Sequence, residues 1–181
     1  FQLRQEMKQI LIIDDEKDIL KSVNAILTEE GYKCYEALNS KDALNIYNSQ
    51  KIDLILLDVW LEESEHDGIE ILEIIRSQDN VPIILMSGHG NIDMAVNAIK
   101  KGAQEFIEKP FSSERLVLSV NRTLEISQIT EENINLKNKE IFDYQFIGSS
   151  QSILKIKQLI YKVAPTSSRV LIQGESGTGK D

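Results

Sequence analysis

Short apolar runs that stop abruptly at a carboxylate constrain this chain more than any other feature of it. Ile10-Leu11-Ile12-Ile13 is followed at once by Asp14 and Asp15, and Leu54-Ile55-Leu56-Leu57 by Asp58. Such short runs bounded by polar residues suit strands covered on both faces. A carboxylate cannot stay charged inside the core those strands imply, so each must lie at the mouth of a sheet. Three carboxylates at neighbouring strand ends then require a cation or a proton between them.

From Lys8 to about Glu125 one unit repeats, a short apolar strand followed by an amphipathic segment. Strand signals fall at 9–14, 33–37, 53–58, 81–86 and 104–108, and helical patterns at 16–30, 40–50, 68–77 and 91–101. Ser40 and Asn91 stand where N-caps are expected, and Gly31 and Gly102 where helices stop. Strands alternating with helices predict an α/β fold with a doubly wound, five-stranded parallel sheet. In the order 2-1-3-4-5 the ligand site lies at the carboxyl ends of strands one and three, where the winding reverses. Those are the strands that end in Asp14, Asp15 and Asp58.

After Pro110 the sequence runs to Ile147 without Gly or Pro. Leu116, Val117, Val120 and Leu124 share one face of a fifth helix, which closes a domain spanning 7–125. The pattern then loosens through Ile129, Ile134, Leu136 and Ile141 among Asn133, Asn135 and Asn138. Residues 126–143 read as a linker helix, either a dimer seam or a polar connector, because no strict heptad survives. A second unit over 144–181 has a helix at 151–163, Pro165, a strand at 169–173 and the string Gly174-Glu175-Ser176-Gly177-Thr178-Gly179-Lys180. Residues 1–6 precede a plausible start at Met7 and read as tag or upstream sequence.

Composition removes several function classes. The formal charge of −9, from 20 basic and 29 acidic residues, leaves no broad basic surface for a phosphate backbone. Cys34 is alone, so no internal disulfide forms, which suits a reducing, cytoplasmic setting and a bland role as a small strand residue. No apolar run approaches the ~18 residues of a membrane span.

Two later strands end in further polar groups. Ser87 closes Ile83-Ile84-Leu85-Met86, and Lys109-Pro110 closes the strand holding Phe106 and Ile107. The five polar groups form a cup of carboxylates, a hydroxyl and an ammonium along one sheet edge. Oxygen ligands of this kind suit Mg²⁺, which takes one or two carboxylates, keeps several waters and favours a phosphate ligand. Asp58 could then attack phosphorus, with Lys109 and Ser87 placed to stabilise the equatorial oxygens. Singly, a strand-end Asp is usually a solvated cap and Ser-Gly or Lys-Pro a turn. The ordered set is far more specific.

In that ordered set the sequence resembles the receiver domains of two-component response regulators, which have a flavodoxin-like fold. The matching stretches are Leu11 to Glu16, Leu56 to Trp60, Met86 to Gly90 and Phe106 to Phe111. The resemblance implies that Asp58 accepts a phosphoryl group from a sensor histidine kinase. It further implies that Asp15, Asp58 and the backbone carbonyl of Trp60 bind Mg²⁺, with Asp14 acting through water. Ser87 is implied as the hydroxyl switch, Lys109 as the phosphoryl contact and Phe106 as an aromatic that changes rotamer. The Lys109-Pro110 bond is implied to be cis, and the surface from the fourth helix to the fifth strand, or the linker helix, to pair two copies.

The string Ser87 to Ile92 and the segment Asp58 to Gly68 look like the NtrX branch of the NtrC family of nitrogen-regulation activators. Most receivers place the loop glycine eight residues after the acceptor, with a proline between. Here Gly68 comes ten residues after Asp58, with no proline and with Glu62, Glu63, Glu65 and Asp67 in the gap. This acidic stretch reads as a solvated loop, with a second cation site as the alternative, and His66 and His89 read as exposed loop residues. His89 and Trp60 also flank the implied phosphoryl pocket.

Gly174 to Lys180 fits the phosphate-cradling pattern G-x-x-x-x-G-K after a strand. Asp181 replaces the usual Ser or Thr, as it does in the AAA+ domains of sigma-54 activators, whose opening Phe146 to Pro165 also resembles. The resemblance implies a truncated AAA+ domain, with ATP bound only by the full-length protein and no hydrolysis by this chain. Contacts with sigma-54 RNA polymerase and DNA would come through domains outside this stretch. Rival readings remain: a carboxylate-nucleophile phosphatase, which would want an acid where Trp60 stands; a P-loop ATPase; or an interaction module with an inert site.

Overall fold

The computed structural model describes residues 7–62, 64–88, 92–143, 150–163, 170, 171 and 173. In chain order the elements are β1 (Gln9–Ile13), α1 (Lys17–Glu29), β2 (Lys33–Ala37), α2 (Ser40–Ser49), β3 (Leu54–Asp58), α3 (Gly68–Arg76), β4 (Ile83–Ser87), α4 (Ile92–Lys100) and β5 (Glu105–Glu108). The five strands are all parallel and lie in the order β2-β1-β3-β4-β5. The fold class read from the sequence is therefore the fold observed.

The central strands are apolar throughout because helices cover both faces. Successive strand residues point to opposite sides, so each run feeds two cores at once. Leu11, Ile13, Ile55, Leu57 and Leu85 join one buried layer, and Ile10, Ile12, Leu54, Leu56 and Ile84 the other. Full burial of each such side chain stabilises the fold by roughly 1.5–3 kcal/mol. Truncating one of them, as in Leu56→Ala, costs about 2–5 kcal/mol once the cavity is counted.

Helix boundaries follow local chemistry, with two departures from the sequence reading. At α3 a capping box forms, with Asp67 accepting from the Glu70 amide and Glu70 reaching back to the Asp67 amide. At α2 the cap is Asn39, whose side chain accepts from the Asp42 amide at 2.9 Å, while Ser40 is the first helical residue and is buried. At β4 the strand starts at Ile83 rather than at 81, because Pro82 has no amide to donate to a ladder; its carbonyl accepts from Ile55 at 2.9 Å. Gly31 and Gly102 stop their helices at φ +88° and +103°, a region open to glycine at little cost. Cys34, on the edge strand β2, is half-buried, and burial pushes its thiol up to about 11.

Two compact units divide the chain at residues 1–132 and 133–181. Helix α5 (Ser113–Asp143) is one 31-residue helix, and α6 (Gln151–Val163) follows. Leu116 and Val120 of α5 are fully buried in the core layer of Ile10 and Ile12. Of the strand expected at 169–173, Val170, Leu171 and Gln173 are described and lie in no strand. Residues 1–6, Glu63, His89, Gly90, Asn91 and the string Gly174 to Lys180 lie outside the described residues. Among those described, no helix is long and apolar enough to cross a membrane.

Candidate functional site

The reversal of winding puts β1 and β3 side by side, with Ile13 paired to Leu57, so their carboxyl ends open together. Asp14 follows β1 and is fully buried. Its amide donates to the Ala37 carbonyl at 3.1 Å, and its Oδ1 accepts from the Glu16 amide at 3.0 Å. Asp58 is the last residue of β3 and is only 4% exposed. Its Oδ2 accepts from the Trp60 amide at 2.9 Å.

Lys109 joins the two. Its Nζ lies 2.6 Å from Asp14 Oδ2 and 2.6 Å from Asp58 Oδ1, so one ammonium spans two buried carboxylates. The side chain comes from the end of β5, where the Lys109 amide donates to the Ser87 carbonyl at 2.8 Å and the Lys109-Pro110 bond is cis. Ser87 is itself fully buried at the end of β4. Phe106 is half-buried and packs on the layer that contains Val59 and Leu85.

The charges do not balance. Burial pushes the Asp58 carboxyl up to about 6; the hydrogen bond and charge of Lys109 pull it down, and the Asp14 charge pushes it up again. For Lys109, burial pulls down, but hydrogen bonds and charges from Asp14 and Asp58 outweigh it and leave the ammonium above its ordinary value. The site is an acid pair short of positive charge.

Asp15 and Asp14 diverge although they are adjacent. Asp15 is half-exposed at the rim, with its Oδ2 accepting from the Glu62 amide at 3.1 Å. Trp60 projects its side chain outward, 53% exposed. Among the described residues no three Asp, Glu, His or Cys side chains gather closely enough to hold a metal by themselves. The oxygen donors at the strand ends are instead the buried pair Asp14 and Asp58, with Asp15 at the rim. That set matches Mg²⁺ in kind, since this ion takes few protein ligands and keeps water.

Gly68 has a steric reason that its odd spacing only hinted at. A Cβ there would sit 2.0 Å from the Asp58 carbonyl oxygen and 2.8 Å from the Val59 Cα. The Gly68 amide also donates to the Val59 carbonyl at 3.0 Å, so the helix start is pressed against the backbone of the candidate nucleophile. Nor is the acidic loop simply solvated. Leu61 is buried, and two serines tie the loop to α2: the Ser64 hydroxyl accepts from the Ser40 amide at 2.9 Å, and the Ser40 hydroxyl from the His66 amide at 3.3 Å. The only sequence signal for those serines was that Ser40 looked like a cap.

Comparison with known proteins places this geometry. The response regulator receiver domain matches residues 10–121, and the sigma-54 interaction domain matches residues 146–181. An NtrX-like response regulator from Rickettsia bellii is 44% identical over 173 residues, 95% of this chain and 36% of that protein. The nitrogen assimilation regulatory protein NtrX of Azorhizobium caulinodans is 44% identical over 95% of this chain and 38% of its own length. The chain thus spans well under half of these curated relatives. Among solved structures, the NtrX receiver domain from Brucella abortus is 44% identical with a TM-score of 0.62, covering 64% of this chain and 98% of that one. NtrX from the same organism is 40% identical with a TM-score of 0.71, covering 96% of this chain and 38% of that one. A carboxylate pair bridged by a lysine at the switch point of a 2-1-3-4-5 sheet, in a chain whose receiver match covers more than half its length, has one reading: the chain belongs to the response regulator receiver family.

Proposed function

We propose that this chain is a phosphorylation switch in which Asp58 accepts a phosphoryl group from a sensor histidine kinase. The observation that carries the reading is the Lys109 ammonium held 2.6 Å from both Asp14 and Asp58 at the switch point of the sheet. Asp58 has the backbone hydrogen bond and burial of a positioned nucleophile, and Lys109 has the reach to meet an oxygen of the group transferred to it. Asp15, Asp58 and the carbonyl of Trp60 would hold Mg²⁺, with Asp14 acting through water. The ion supplies neutralisation of the charge that develops on the phosphoryl oxygens. Ser87 reports the modification through the strand end it shares with Lys109, and Phe106 through its packing in the adjacent core layer.

Similarity to NtrX-like and NtrC regulators favours control of a sigma-54-dependent transcription factor, in nitrogen regulation, in the cytoplasm. In a protein of those relatives' length, Gly174 to Lys180 would cradle the phosphates of ATP. Pairing of two copies would use the α4 to β5 surface or the linker part of α5, and contacts with sigma-54 polymerase and DNA would lie in other domains.

Incubation with acetyl phosphate and Mg²⁺, followed by intact-mass measurement, tests the reading. A phosphoryl adduct is expected that Asp58→Asn abolishes. Turnover of the donor without an adduct would favour a phosphatase, and no adduct with any small phosphodonor would favour an inert interaction module.

A further inference from the structure

We propose that Ser64 and Ser40 form a latch that positions the metal side of the site. The proposal rests on the phosphoacceptor reading above and assigns the extended loop between β3 and α3 a part in it.

The residues between Asp58 and Gly68 are held at three points. Leu61, only 8% exposed, anchors the loop in the core. The Glu62 amide donates to Asp15 Oδ2 at 3.1 Å, which holds one oxygen of that carboxylate and leaves the other unused by this bond. Two residues further on, the Ser64 hydroxyl accepts from the Ser40 amide at 2.9 Å, and the hydroxyl of the buried Ser40 accepts in turn from the His66 amide at 3.3 Å.

The exchange has a physical logic at both ends. The Ser40 amide is one of the donors that a helix start cannot satisfy internally. Asn39 already serves the Asp42 amide, so the loop's serine supplies an acceptor that α2 lacks. In return the Glu62 peptide is trapped between an apolar anchor and a hydrogen-bonded clasp. The long step from Asp58 to Gly68 provides the chain needed to reach α2. Asp15 therefore depends for its orientation on residues outside the cup at the strand ends, and Ser64 and Ser40 are positioning residues for cation binding.

Trp60, the single tryptophan, stands half-exposed beside Asp58 and reads out the site in the full 181-residue chain. Its emission is titrated with MgCl₂ in the unsubstituted chain and in Ser64→Ala. Loss of one neutral hydrogen bond should weaken Mg²⁺ binding by about five-fold and speed hydrogen exchange at the Glu62 amide, with exchange at Val59 unchanged. The near-isosteric pair Ser64→Thr and Ser64→Val guards against a mere folding defect. Thr keeps the acceptor oxygen and should stay within about two-fold of the parent, whereas Val should behave like Ala. Equal Mg²⁺ affinity in the parent and Ser64→Ala, or equal weakening in Thr and Val, overturns the latch while leaving the phosphoacceptor reading standing. Absence of any saturable Mg²⁺ response in the parent overturns both.

Discussion

Asp53 immediately precedes β3 and Asp58 ends it, the same residue type at either end of one strand, in opposite circumstances. Asp53 meets a lysine and an amide: Lys8 Nζ at 3.1 Å, itself 48% exposed, and the Gln9 amide at 2.8 Å. Asp58 shares its lysine with a second buried acid, and its carboxyl is pushed up to about 6. The amino end of the sheet uses a carboxylate to close hydrogen bonds; the carboxyl end leaves one under-compensated. Charge left unsatisfied by the fold, rather than charge itself, marks the candidate reactive edge.

Substitution at each end breaks or sharpens that contrast. The largest effect belongs to Asp58→Asn, which should abolish the phosphoryl adduct in intact-mass assays, while Asp53→Asn should be phosphorylated like the parent. Next is Gly68→Ala. A Cβ 2.0 Å from the Asp58 carbonyl oxygen forces backbone apart, at a cost of about 3 kcal/mol or more by urea unfolding. Stability within ~0.5 kcal/mol of the parent would show that the contact relaxes freely.

A smaller effect appears in pH. In the folded protein burial pushes the Asp58 carboxyl up to about 6, above its ordinary 3.8, so the native state holds that proton more tightly than the unfolded chain. Its contribution to stability is complete below pH 3.8 and is lost as pH rises through about 6. In EDTA the parent should lose about 2 kcal/mol relative to Asp58→Asn between pH 4 and 7, followed by urea unfolding with Trp60 emission. Parallel stability curves would remove the claim of a strained carboxyl. The smallest effect is at the other end of the strand: Lys8→Ala should cost under ~1 kcal/mol, because the lysine is 48% exposed and Asp53 keeps its hydrogen bond from the Gln9 amide.

Much of this contrast was legible in the residues. Apolar runs ending in Asp, Ser and Lys located the ends of β1, β3, β4 and β5, since a parallel strand buried on both faces has nowhere else to put a charge. What escaped was the division of labour between neighbours. Resemblance gave Asp14 and Asp15 different roles towards a cation, but not that the chain turns Asp14 inward to Lys109 and leaves Asp15 at the rim under the Glu62 amide. Asn39 and Ser40 are both good caps, and only the partners they find distinguish them. The acidic residues Glu62, Glu65 and Asp67 are exposed, as counting charges predicts, but the loop's anchors stayed hidden, because they are an apolar residue and a hydroxyl whose partner lies 24 positions away.

The single ammonium between Asp14 and Asp58 has a kinetic consequence. With Asp15 at the rim, an approaching phosphodonor meets three carboxylates against one cation, and so a repulsive mouth. A divalent ion that arrives first cancels that excess. On the phosphoacceptor reading the order of encounters is then set by electrostatics, cation before donor, and the initial rate of adduct formation should rise with MgCl₂ concentration and saturate.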